Sequence, residues 1–248
     1  MPRPRNRPER WLGRQPSAHA RARLFCIPYS GCGASMYRDW PVDVEGLEIC
    51  PVQLPGRENR MREPGFTSYE ELADGLIDAL LPYFDRPFGF FGHCSSALAA
   101  HVATERLARA GYPAPTRLFV SSQVAPHEGP FGRFLELGET ELRQEIIKLM
   151  DGLGAEPISG LVDLTLEILQ GDIAVNRSHR IDAPTVLPCP VTAIGWDRDE
   201  EVPHAKMAGW SAYGPATTFE VLEGEHYDFV KAPEPLLRVF LRDLALDV

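Results

Sequence analysis

Short apolar runs alternate along this chain with longer amphipathic stretches. Residues 23–27, 47–52, 88–91, 117–121, 190–195 and 217–222 are rich in β-branched, aromatic and aliphatic side chains and are bounded by turn-forming residues, which is the pattern of buried strands. Between them, a helix is predicted to open at Ser68, with Glu70 and Glu71 in its first turn and Leu72, Leu76, Ile77 and Leu80 on its inward face. A second helix follows Cys94 directly through Leu98, Val102 and Leu107, and a closing helix spans about Glu234 to Leu246. Such alternation predicts an α/β fold: a mostly parallel central sheet with helices on both faces. The period changes between residues 138 and 180, where Leu142, Ile146, Ile147 and Leu149, then Leu161, Leu164, Ile168 and Leu169, fit two or three helices with no strand between them. We read this stretch as an inserted helical lid.

The length of 248 residues and the 44% apolar composition suit one large core. Seven of the 25 basic residues but only one acid, Glu9, fall in residues 1–23. That segment is expected to be a largely disordered basic tail, leaving residues 24–248 as the folded domain. The remainder, with 18 basic and 34 acidic residues, is strongly acidic, which argues against nucleic acid as a partner. No apolar run reaches the roughly 18 residues of a membrane helix, and the arginine-rich start lacks the apolar middle of a secretory signal; a cytoplasmic protein is expected. Five scattered cysteines with no C-x-x-C pair argue against a disulfide framework or a zinc site, and no metal or organic cofactor is implied.

The chemistry concentrates at Gly92-His93-Cys94-Ser95-Ser96, which follows an apolar strand and precedes a helix. This is the setting of a nucleophile elbow, usually G-x-S-x-G, with Ser96 in place of the second glycine and Cys94 as nucleophile. A lone cysteine after a strand is ordinarily a small buried hydrophobe; the residues downstream change that reading. An α/β-hydrolase orders its triad nucleophile, acid, base, and here Asp197 and Asp199 leave one late strand while His226 leaves the next. Asp199 lies at the fold's usual offset, and Asp197 is its rival. His226 would act as general base, with the carboxylate fixing its tautomer and stabilising the imidazolium. The backbone N–H groups of Ser95 and Ser30 are the candidate oxyanion donors, Ser30 lying in the glycine-containing turn after the first strand.

With Ile27-Pro28-Tyr29-Ser30-Gly31, Gln53-Leu54-Pro55-Gly56-Arg57-Glu58, the elbow, and residues 195–202 with His226 in view, the chain resembles the type II thioesterases of nonribosomal peptide and polyketide assembly lines. The resemblance implies an α/β-hydrolase acting on an acyl or aminoacyl group held on the phosphopantetheine of a carrier protein, which enters beneath the lid. Arg57, Arg60 and Arg62 would be either phosphate or carrier contacts, or simply a solvated loop. Cys94 departs from the family's serine. A serine turns a thioester into an oxyester, whereas a cysteine exchanges thioester for thioester nearly evenly. The sequence therefore also resembles aminoacyl shuttles that move a residue between two carriers. A small-molecule hydrolase resembling dienelactone hydrolases and a catalytically silent carrier-binding module are the other readings.

Overall fold

The computed structural model describes residues 8–152, 154 and 156–244. Seven strands form one sheet: β1 (Ala22–Ile27), β2 (Asp43–Val44), β3 (Leu47–Pro51), β4 (Phe88–His93), β5 (Arg117–Ser121), β6 (Val191–Trp196) and β7 (Thr217–Leu222). Their order is β2-β3-β1-β4-β5-β6-β7, and every pairing is parallel except that of β2 with β3. The predicted runs become β1 and β3 to β7; the two-residue β2 is too short to show a period.

After a short helical turn, α1 (Pro8–Trp11), the helices are α2 (Tyr69–Leu80), α3 (Ser95–Arg109), α4 (Glu139–Gly152), α5 (Ser159–Ser178) and α6 (Glu234–Asp243). The start of α2 is set by Ser68, whose side chain accepts the Glu71 N–H at 3.1 Å while Glu71 reaches back to the Thr67 N–H at 2.8 Å. Leu72, Leu76, Ile77 and Leu80 are buried as their spacing requires. Together α2 and α3 cover one face of the sheet; α6, with Tyr37 and Trp40, covers the other. Residues 245 and 246 of the expected closing helix lie outside the described residues.

Helices α4 and α5 share a separate small core of Leu142, Ile146, Met150, Val162, Leu166, Leu169 and Ile173. Two helices with no strand between them fit the expected insertion, but the buried stripe differs from the sequence reading. Ile147 and Leu161 are on the exposed side, because each helix uses a narrow stripe against the other instead of the broad face a body helix buries. Among the described residues no helix is long and apolar enough to cross a membrane.

The segment expected as a disordered tail through residue 23 is corrected where it is described. Trp11 and Leu12 are buried, Leu12 bridges to Val52, and the Gln53 N–H donates to the Trp11 carbonyl at 2.8 Å. Among the described arginines of this segment, Arg14 and Arg23 serve as internal donors. Arg14 donates to the Val42 and Ile49 carbonyls, and the buried Arg23 pairs with Glu48 and Asp85. A basic segment thus neutralises part of an acidic body. Residues 1–7 of the expected tail lie outside the described residues.

The register places the chemistry. Ile27 pairs with Gly92, His93 with Ser121, Ser121 with Ile194, and Trp196 with Leu222. The carboxyl ends of β4, β5, β6 and β7 are therefore level, and the residues that leave them converge at one edge of the sheet, where open α/β sheets bind ligands.

Candidate active site

At the end of β4 the chain turns sharply through Cys94 into α3. Cys94 has φ 54° and ψ −133°, a left-handed conformation that costs a side-chain-bearing residue about 1–3 kcal/mol. A Cβ on Gly92 would stand 2.4 Å from the Ser96 carbonyl oxygen, so only glycine lets the turn close. Ser96 can replace the motif's second glycine because its hydroxyl folds back onto the turn, accepting the His93 N–H and donating to the His93 carbonyl, both at 2.9 Å. The Cys94 N–H donates to the Ser121 carbonyl at 2.8 Å, which ties the elbow to β5.

Asp199 follows β6 and is buried with all its acceptor sites engaged. Its Oδ1 accepts the N–H groups of Glu201 and Val202, each at 2.9 Å; its Oδ2 accepts the Ser122 hydroxyl at 2.6 Å and His226 Nδ1–H at 2.9 Å. Burial pushes this carboxyl's pKa up, but the hydrogen bonds from His226, Ser122 and Val202 and the charge of His226 outweigh it and hold the group below its ordinary value. Asp197, the rival, is half-exposed; it accepts the Gly224 N–H at 2.8 Å and pairs with Arg198. The geometry therefore joins His226 to Asp199 and not to Asp197.

His226 is itself buried. Its Nε2 has no hydrogen-bond partner among the described residues; Glu201 Oε2 stands 3.7 Å from it. Burial resists protonation of the ring, yet Asp199, Cys94 and Glu201 more than offset it, and the pKa rises from 6.5 to about 10. His93, centred 4.6 Å away and stacked on Phe229 at 3.9 Å, is driven the other way. Burial first, and the neighbouring imidazole second, hold it neutral.

Ser30 and Ser95, whose N–H groups are the candidate oxyanion donors, lie together: their hydroxyls share a hydrogen bond at 2.5 Å. Ser95 opens α3, so its N–H has no acceptor within the helix. The enclosed space at Cys94 is only about 20 Å³ and is bordered by Tyr29, Phe134, Ile173, Asn176 and Glu201. Larger hollows, one of about 430 Å³ beside Asp74, Arg106 and Arg109 and one of about 370 Å³ between the N-terminal segment and residues 34–42, contain no nucleophile–base pair; volume alone would misplace the chemistry.

Neither sequence reading of the arginine loop holds for Arg57 and Arg60, which are both buried. Arg57 makes a two-pronged pair with Asp172 of α5 at 2.8 and 2.9 Å, and Arg60 pairs with Glu63 while lying over the Trp11 ring at 4.5 Å. The carboxylate and carbonyl that Arg57 meets come from distant parts of the chain, which a local reading cannot see, whereas Arg60 is held by the nearby Glu63 and Gln53. Arg62 remains exposed. Sequence reasoning also gave no role to Ser122, Asp172 or Glu201. Ser122 has one local signal, its place directly after a strand, in the same position relative to β5 that Cys94 has to β4. Among the described residues no group of three His, Cys, Asp or Glu side chains is placed to hold a metal ion.

A mostly parallel sheet, a strained elbow at Cys94 and the Asp199–His226 pair that follows the next strands have the architecture of an α/β-hydrolase. Within that class the chain belongs to the thioesterase-domain family, whose profile matches residues 22–244, and it is an enzyme of the thioester-hydrolase type. It is 31% identical over 244 residues to linear gramicidin dehydrogenase LgrE of Brevibacillus parabrevis, covering 94% of this chain and 91% of the relative. That name speaks of a dehydrogenase, whereas the matched family and the similar structures are thioesterases. RedJ, the thioesterase of the prodiginine pathway in Streptomyces coelicolor, is 31% identical with a TM-score of 0.76, covering 93% of this chain and 92% of its own. BorB, the type II thioesterase of the borrelidin cluster, is 25% identical with a TM-score of 0.79, covering 94% and 97%.

Proposed function

We propose that this protein is a cysteine-dependent thioesterase or acyl-transfer enzyme acting on acyl or aminoacyl thioesters of carrier proteins in nonribosomal peptide or polyketide biosynthesis. The observation that carries the reading is His226, hydrogen-bonded through Nδ1 to the fully engaged Asp199, with its ring 4.6 Å from that of His93, the residue that precedes Cys94 in the elbow. The pathway reading is supported by RedJ and BorB, whose names place them in biosynthetic clusters. The substrate's thiol end is then the phosphopantetheine of a partner carrier, and the enzyme itself needs no cofactor for the steps below.

With the thiol proton already held on His226, whose charged form the site favours, Cys94 Sγ attacks the thioester carbonyl carbon. The oxyanion is received by the Ser95 and Ser30 N–H groups. The bond from carbon to pantetheine sulfur breaks, His226 returns its proton to the departing thiolate, and the acyl group remains on Cys94. Asp199 keeps the imidazole in the tautomer that serves both transfers. Water, deprotonated by His226, then releases the free acid and restores the cysteine.

A second reading, transfer to another carrier, is favoured by the sulfur itself. A thioester on Cys94 is nearly isoenergetic with the one consumed, so a second pantetheine thiol can take the acyl group without an energetic penalty. Both readings pass through the same adduct. Intact-protein mass spectrometry with a panel of loaded carriers, with and without an empty carrier, scores adduct, free acid and transferred group together. Absence of any Cys94 adduct would refute both.

A further inference from the structure

Glu201 has no part in the steps above, yet its carboxylate borders the small cavity at Cys94. It follows Asp199 closely, and the turn fixed by the Asp199 carboxylate, which accepts the Glu201 and Val202 N–H groups, aims it at the reacting atoms. Oε1 is held by Arg133 Nε at 3.1 Å, while Oε2 faces His226 Nε2 at 3.7 Å. Arg133 also pairs with Glu145 of α4, so its charge is shared between two carboxylates. Two carboxylates line the cavity, Glu201 and Asp172; Asp172 is taken up by Arg57 and the Gly31 N–H, which leaves Glu201 as the carboxylate beside the ring that serves the nucleophile.

Resting on the acyl-Cys94 reading, we infer that Glu201 is a specificity-determining residue that receives the α-ammonium of an aminoacyl thioester. In such a substrate the ammonium nitrogen is two bonds from the carbonyl carbon that joins Sγ. Any pose that puts the carbonyl against Cys94 and its leaving thiolate near His226 Nε2 therefore keeps the ammonium within a few ångströms of that imidazole, where Oε2 stands. The carboxylate offers a charge-assisted hydrogen bond to –NH₃⁺ and separates it from the imidazolium formed during attack. A des-amino acyl group leaves Oε2 without this partner in a half-closed site, and an N-acylated one removes the charge. The enclosed volume of about 20 Å³ also suits a short acyl group better than a long chain with the lid as it stands.

The test compares kcat/KM for acylation of Cys94 by carriers loaded with alanyl, propionyl and N-acetylalanyl groups, followed by intact mass. The wild-type protein is expected to favour alanyl over both analogues by at least about tenfold. In Glu201→Gln that ratio should collapse towards one, with most of the change in KM. Equal kcat/KM for the three groups in the wild type overturns the assignment of Glu201 while leaving the adduct intact. Retention of the full ratio in Glu201→Gln, or an equal fall for all three groups in a variant that melts at the wild-type temperature, overturns it as well. Should the variant not fold, the wild-type comparison decides alone. Failure of every loaded carrier to label Cys94 would instead overturn the underlying reading and the inference with it.

Discussion

The Asp172 carboxylate on α5 accepts the backbone N–H of Gly31 at 2.8 Å, joining the helical insertion to the loop that carries Ser30. Arg57 completes the joint by donating to both Asp172 oxygens and to the Cys32 carbonyl. Position of the insertion and shape of the loop that carries Ser30 are therefore one mechanical unit.

Breaking that unit should be felt in stability and in rate. Arg57→Ala leaves Asp172 charged and buried, and we expect a loss of about 3–5 kcal/mol in urea unfolding. Asp172→Asn keeps the shape and can still accept the Gly31 N–H, so its loss should be smaller. Equal, negligible effects from both would show that the joint is idle.

Removal of the nucleophile and of the base should separate cleanly. Cys94→Ala should give no covalent adduct from any loaded carrier, and His226→Ala should form it about 10²–10⁴-fold more slowly. Single-turnover mass spectrometry reads both.

The two aspartates differ by role. Asp199→Asn loses the carboxylate that orients the imidazole and should lower kcat by roughly 10³–10⁴-fold, as in triads where the acid is amidated. Asp197→Asn should stay within a few-fold, because that side chain holds only the Gly224 N–H and Arg198. A reversed order would move the orienting role to Asp197.

Cys94→Ser probes the second half-reaction. The oxyester it forms is lower in energy than the thioester consumed, so partition should shift from carrier-to-carrier transfer towards free acid. Measuring both products from one loaded carrier gives the ratio directly; an unchanged ratio would mean that access of the second thiol, not the bond formed, decides the outcome.

Proton linkage gives a further check. The folded pKa of His226 is raised from 6.5 to about 10, so the charged ring contributes stability that is complete below pH 6.5 and is lost as the pH climbs through about 10. The stability gap between wild type and His226→Ala should therefore narrow across that window in thermal melts. Cys94→Ala removes one of the groups that raise this pKa, so the ring should titrate at lower pH by NMR.

The sheet was legible because a strand buried on both faces is a near-continuous apolar run, as in β1 and β3 to β6; β7, an edge strand with Phe219 and Val221 exposed, was legible from its β-branched and aromatic residues. Cys94 and His226 were legible from their places after β4 and β7, and Asp199 from its offset after β6. Arg57 with Asp172, and Glu201 with Arg133, were not. Those pairs join residues far apart in sequence, and a buried arginine has the same local signature as a solvated one. The segment around Trp11 was misread for a related reason: composition counts its arginines but cannot see that Glu48, Asp85 and the Val42 and Ile49 carbonyls await them.

The unusual dihedrals at position 94 impose the same demand on serine and cysteine, which differ there by a single atom. Architecture and leaving-group thermodynamics are thus independently adjustable in this scaffold. On the proposed mechanism, one substitution would move such an enzyme between disposing of a cargo and handing it onward, without rebuilding the elbow that holds it.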